Sequence, residues 1–290
     1  APRTLPTGAT VQECFLGERN YLLHLPPAQL EGSTVPCVLV FHGKGSAPEA
    51  HVQEWEPLVS RGEVIGVYPR GINRGWALGQ IPLRPTEDGD VAAAVAFVEA
   101  VIADVKRRLP PRKGRGALHF AHGYSNGAGL VQLLGCVRPQ LFAAGSAFAT
   151  QLRSGQRPMS GPFPILQVSG MLDAVIPYQG GPSRVSACFE SAETSARIWA
   201  EHNGCKRECT VTRSTTTGNV LREWQPAAAG GAKVMHLGIA RLGHAISRAH
   251  VQDDELGVTK GGGGLIGLVW AFYCAANSGT APTASHSHEP

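Results

Sequence analysis

"HFAHGYSNGAGL" (residues 119–130) sets three glycines, a serine and an asparagine between two apolar stretches. Inside it, Gly123-Tyr124-Ser125-Asn126-Gly127 has the spacing G-x-S-x-G. That spacing has a steric meaning. A serine on a tight strand-to-helix turn takes unusual backbone angles, and its neighbours two residues away on each side crowd one another. Glycine at both positions removes the clash and leaves the hydroxyl exposed at the carboxyl end of a sheet. The helix that follows aims its N-terminal amides at the same spot, where a developing oxyanion can be held. A glycine-softened structural turn has the same composition, so the flanking sequence must distinguish a reactive corner from an ordinary one.

On both sides, strand patterns alternate with helix patterns. "RNYLLHL" (19–25), "PCVLVFHG" (36–43), "EVIGVYP" (63–69), "ALHFAHG" (117–123), "LFAAGSAFA" (141–149), "FPILQVSG" (163–170) and "KVMHLGIA" (233–240) read as strands. Several are near-continuous apolar runs, as expected of strands covered on both faces. Helical spacing predicts helices over 48–62, 88–109, 129–137, 185–203 and 264–277. The alternation implies an α/β fold with a mostly parallel central sheet and helices on both faces. No linker or internal repeat interrupts residues 1–277, so one domain is expected. The small polar tail 278–290 is expected to be disordered.

A serine nucleophile needs a base, and the base needs an orienting acid. In a doubly wound hydrolase sheet the chain order is Ser, then Asp or Glu, then His. Asp173 follows the apolar strand in "PILQVSGMLDAVIPYQGG" and sits where strand ends deliver side chains to a site. Four histidines downstream can supply the base: His202, His236, His244 and His250. His202 falls at a helix end, His236 within a strand and His250 in a polar stretch. His244, in "IARLGHAIS", follows a strand and a glycine and is favoured. For the oxyanion, the backbone N–H of Asn126 and one near Lys44 are the expected donors, because "VFHGKGS" (40–46) puts a glycine-rich loop after an apolar strand.

Composition limits the alternatives. Of the 290 residues, 43% are hydrophobic and 17% charged, with a formal net charge of +4, which is a globular balance. The short basic clusters "KRR" (106–108) and "RKGR" (112–115) read as solvated charge, so no nucleic-acid partner is expected. No apolar run reaches the roughly 18–20 residues that span a bilayer, and no membrane association is expected. The seven cysteines form no CxxC pair and no His cluster completes a zinc pattern, so neither metal nor organic cofactor is expected. Seven is nonetheless many for a reducing compartment, which predicts a secreted protein with two or three disulfides. Cys205 and Cys209 are close enough in sequence to bridge. A monomer is the expected state.

Over residues 19–275 the chain resembles the polyhydroxybutyrate depolymerase and feruloyl esterase-like branch of the α/β-hydrolases. The resemblance is carried by "RNYLLHLPP", "VLVFHGKGSAPE", "GVYPRG", "GWALGQ", "EDGDVAAAVAFV", "GYSNGAG", "LQVSGMLDAVIPYQGG", "WAEHNGC" and "LGHA". It implies an α/β-hydrolase fold in which Ser125, Asp173 and His244 are nucleophile, orienting acid and base. It also implies that Trp76 and Tyr124 line the acyl or alcohol pocket. The chain departs from the family in two places: the usual tryptophan and proline after Gly-His are replaced within "GHAIS", and a lysine occupies the oxyanion loop. The expected activity is that of a serine carboxylic ester hydrolase, feruloyl esterase-like on plant cell-wall esters. Alternatives are a polyester depolymerase, a short-chain acyl esterase or peptidase, and a catalytically silent binding protein.

Overall fold

The computed structural model describes residues 2–27, 34–83, 89–109, 118–246 and 264–278. The chain enters through β1 (Arg3–Thr4), β2 (Thr10–Leu16) and β3 (Arg19–Leu25), an antiparallel wing. The apolar runs of the sequence then become the middle of the same sheet: β4 (Cys37–Phe41), β5 (Ile65–Pro69), β6 (His119–Tyr124), β7 (Ala144–Phe148) and β8 (Ile165–Gly170). A separate small hairpin, β9 (Gly181–Pro182) with β10 (Cys188–Phe189), follows. The last strands are β11 (Thr210–Arg213), β12 (Val220–Trp224) and β13 (Val234–Ile239).

The large sheet has eleven strands in the order β1-β2-β3-β5-β4-β6-β7-β8-β13-β12-β11. From β5 to β13 every neighbouring pair is parallel. Both wings are antiparallel, so the sheet is mixed, with the expected parallel block at its centre. Every residue of β4, β5, β7, β8 and β13 is buried, which is what helices on both faces require. Helices α1 (Val52–Ser60) and α5 (Gly264–Ser278) cover one face, around the fully buried Trp55 and Tyr273. Helices α2 (Gly89–Arg108), α3 (Asn126–Val137) and α4 (Ala192–His202) cover the other, around Trp199 and Phe163.

Several sequence expectations change. The helix read over 185–203 begins only at Ala192. Ser191 caps it by accepting the Thr194 N–H, and the residues before it belong to β9 and β10. Helix α3 begins at Asn126, three residues before the predicted start, because the glycines at 127 and 129 that argue for a loop are tolerated inside a packed helix. The hairpin β11–β12 and strand β2 were not predicted; their residues alternate weakly and lie in the antiparallel wings. The tail reading falls outside the described residues, apart from Ser278 at the end of α5.

The expected disulfides are not seen: no disulfide is formed among the described residues. The strand register explains part of this, since Cys14 opposes Tyr21, Cys37 opposes Ile65 and His119, and Cys188 opposes Pro182. The Cys205 thiol, which could have met Cys209, donates instead to the Ala232 carbonyl at 3.1 Å. Among the described residues no helix is long and apolar enough to cross a membrane.

Candidate active site

β6 runs directly into Ser125, and α3 leaves from it. Ser125 has φ 51° and ψ −118°, a conformation that non-glycine residues rarely adopt. Such strain costs roughly 1–3 kcal/mol and persists only where the surroundings over-determine it. Here the Ser125 N–H donates to the Phe148 carbonyl at 2.8 Å. Its carbonyl accepts the Gly129 N–H at 2.9 Å and the Thr150 hydroxyl at 2.8 Å. The flanking glycines are sterically required. A Cβ on Gly123 would lie 2.4 Å from the Gly127 oxygen, and one on Gly127 would lie 2.0 Å from the Phe41 oxygen.

Asp173 stands in the turn just beyond β8, only 8% exposed. Its Oδ1 accepts the backbone N–H groups of Val175 (2.8 Å) and Ile176 (2.9 Å). Its Oδ2 lies 2.7 Å from His244 Nδ1, and His244 Nε2 lies 2.9 Å from Ser125 Oγ. An ionised carboxylate can only accept hydrogen bonds. Nδ1 therefore carries the imidazole proton, and Nε2 is left to accept the Ser125 hydroxyl.

The loop after β13 is brought to this point by its own backbone. Leu172 N–H donates to the Leu242 carbonyl at 2.9 Å, and Tyr124 Oη donates to the His244 carbonyl at 2.5 Å. The approach is tight enough that a Cβ on Gly170 would lie 2.3 Å from the Gly243 oxygen. Of the other candidate bases, His236 is fully buried in the middle of β13. His202 ends α4 with its ring 3.3 Å from the Gly161 carbonyl, and His250 lies outside the described residues.

Asn126 is the first residue of α3, where backbone amides have no acceptor within the helix. Lys44 lies in the exposed turn after β4. Gly45 N–H donates to the Arg74 carbonyl at 2.7 Å, and Lys44 Nζ donates to the Asn73 carbonyl at 3.4 Å. Trp76 and Tyr124 lie against this machinery. Trp76 is 7% exposed and its indole N–H donates to the His42 carbonyl at 2.8 Å. The Tyr124 ring is 5.7 Å from that of His244.

Three contributors escape sequence reasoning. Thr150 steadies the elbow from the end of β7. The Asn126 side chain bonds Trp76 at both backbone atoms, with Oδ1 accepting its N–H at 2.7 Å and Nδ2 donating to its carbonyl at 3.1 Å. Buried His42 accepts the Gly71 N–H at Nε2 (3.0 Å), while Nδ1 donates to the Gly43 carbonyl (2.9 Å). Burial holds this imidazole below the usual histidine range, in keeping with a neutral acceptor at Nε2. Nothing in a single sequence pairs residues 29 or 50 positions apart in this way. Among the described residues, no group of three or more His, Cys, Asp or Glu could hold a metal ion.

No family model matches the chain. Over 267 residues it is 27% identical to feruloyl esterase C of Emericella nidulans, covering 89% of this chain and 84% of that protein. It is 25% identical over 242 residues to feruloyl esterase B of Piromyces equi, covering 78% of this chain and 42% of that longer protein. Among solved structures, an acetyl xylan esterase from Aspergillus awamori superposes with a TM-score of 0.58. The match covers 82% of this chain and 94% of that one at 12% identity, a likeness of fold.

Proposed function

Starting from a carboxylic ester hydrolase of the α/β-hydrolase fold, as the relatives and the fold make this chain, we propose that it works through a Ser125-His244-Asp173 triad and an acyl-enzyme. The observation that carries this reading is the continuous relay from Ser125 Oγ through both ring nitrogens of His244 to a nearly buried carboxylate. His244 takes the Ser125 proton as the oxygen attacks the ester carbonyl. The Asn126 amide and an amide of the Lys44 turn hold the oxyanion, each such donor typically contributing about 3–4 kcal/mol to lowering the barrier. His244 then protonates the departing alcohol. Water, deprotonated by the same imidazole, releases the acid, while Asp173 keeps the tautomer and stabilises the imidazolium.

For the substrate we propose hydroxycinnamoyl esters of plant cell-wall polysaccharide. The support is that both relatives named above are feruloyl esterases, one of them aligned over most of its length. An insoluble cell-wall ester is reachable only outside the cell, so this reading goes with secretion. It also goes with one catalytic domain over residues 1–277.

Ser125→Ala should abolish turnover of p-nitrophenyl acetate and labelling by a fluorophosphonate, with circular dichroism unchanged. Turnover above the uncatalysed rate in that variant would overturn the nucleophile. Methyl ferulate should be hydrolysed faster than a hydroxybutyrate oligomer by one enzyme preparation, and the reverse order would overturn the substrate class.

A further inference from the structure

The segment Gly71–Gly79 lies across the two loops that the proposed mechanism uses, tied to both. At its start, Gly71 N–H donates to His42 Nε2 and the Arg74 carbonyl accepts from Gly45 N–H. At its end, Arg153 donates to the Gly79 carbonyl at 2.6 Å and to the Leu78 carbonyl. Between these anchors sits Trp76. Its backbone N–H and carbonyl are both taken by the Asn126 side chain, while its indole N–H is taken by the His42 carbonyl. Its ring packs edge-on against Phe41, with centroids 5.4 Å apart, and tilted against His42 at 5.1 Å.

We propose that Trp76 is a positioning residue that fixes the spacing of the two oxyanion donors, rather than a wall of the substrate pocket. The inference rests on the proposed ester hydrolysis. Asn126 carries one donor amide in its own backbone, and its side chain grips Trp76. His42 opens the turn that carries the other donor, and its carbonyl is gripped by the Trp76 indole. One residue thus cross-links the nucleophile elbow to the oxyanion turn through three hydrogen bonds. With 7% of its surface exposed, it has little left to offer a ligand.

The chemical reason such a brace matters is that oxyanion donors act only when they lie about 2.7–3.1 Å from the charge as it develops. Two amides on separate loops meet that condition only if the loops cannot drift apart. The brace acts on charge stabilisation, so its loss is felt in the tetrahedral state and hardly in the ground state.

Trp76→Phe keeps an aromatic ring and removes the indole donor together with the second ring. Asn126→Ala keeps the backbone amide and removes both side-chain bonds. Each variant should lower kcat for p-nitrophenyl acetate by about 10–100-fold with KM within about threefold. Each should also raise the inhibition constant of phenylboronic acid, which forms a tetrahedral adduct on Ser125, by the same factor. A merely structural role would lower the melting temperature and leave both quantities unchanged in the folded enzyme. Should Trp76→Phe fail to fold, Asn126→Ala carries the test. If the wild-type enzyme turns over the ester and the variants match it in kcat and in phenylboronic acid affinity, the positioning role is overturned and the triad stands. If the wild-type enzyme is inactive and Ser125 takes no fluorophosphonate, the proposed function itself has failed, and this inference with it.

Discussion

At the scale of single residues, the tautomer of His244 governs the proposed chemistry, and Asp173 governs the tautomer. Oδ1 of Asp173 is held by two backbone N–H groups, so the side chain cannot rotate away from the imidazole. An Asp173→Asn variant keeps those bonds with its amide oxygen and turns its NH2 toward Nδ1. That donor requires Nδ1 to accept, which moves the ring proton to Nε2, where it can no longer take the Ser125 proton. We expect kcat on p-nitrophenyl acetate to fall by about 10³–10⁴ with little loss of stability. A fall of less than tenfold would mean that Asp173 does not set the tautomer. The pairing of Ser125 with an acid after the next buried strands was legible in the sequence, because chain order and strand ends are local features. Thr150 and the Asn126 side chain were not legible, since a threonine after a strand and an asparagine at a helix start have ordinary local explanations.

At the scale of elements, the elbow between β6 and α3 works only because β4 passes close beneath it. Gly127 faces the Phe41 carbonyl, and an added methyl would need β4 to give way by more than an ångström. Gly127→Ala should therefore cost several kcal/mol, read as a lower urea midpoint or as loss of soluble protein. Gly161→Ala, whose Cβ would meet nothing within 4 Å, should lie within about 0.5 kcal/mol of wild type. Equal stability of the two variants would refute the packing argument. The parallel core strands were visible as apolar runs because both of their faces are covered. β2, β11 and β12 were not: β2 mixes burial without a clean alternation, β11 is exposed throughout, and the mostly buried β12 carries Arg222 and Glu223 inside its run. The helix start at Ala192 was in principle readable from Ser191 as a capping residue, but hairpin β9–β10 competes for the residues before it.

At the scale of the whole molecule, the two faces of the sheet each bury a histidine that must stay neutral. His122, bonded to the Ser146 hydroxyl at 2.7 Å, is pushed down to about 3 by burial, helped by the nearby His51. His236 is likewise pushed to about 3 by burial, helped by Arg222. Unfolded, both titrate near 6.5. Between pH 6.5 and 3 the unfolded chain therefore binds two protons that the native state refuses, and stability falls as pH falls. Around pH 5 these two sites alone give a slope of about 3 kcal/mol per pH unit. Urea midpoints between pH 6 and pH 5 should drop accordingly, and His236→Phe should remove close to half of this two-site contribution. An unchanged slope in that variant would show that His236 is protonated in the folded protein.

The sequence by itself determined the parallel α/β core, the strained elbow around Ser125 and the order of the candidate triad. Each of these is encoded locally, in apolar runs, in glycine spacing and in residues at strand ends. It favoured His244 among four downstream histidines, and the tertiary structure brings His244 to Ser125 through a loop pinned by Leu172 and Tyr124. The tertiary structure forms no disulfide among the described residues, and strand register sets Cys14 against Tyr21, Cys37 against Ile65 and Cys188 against Pro182. The role argued for Trp76 depends on the tertiary structure as well. Its three hydrogen bonds join segments 34 and 50 residues away, and contacts at that separation exist only once the sheet has assembled the loops at its carboxyl edge.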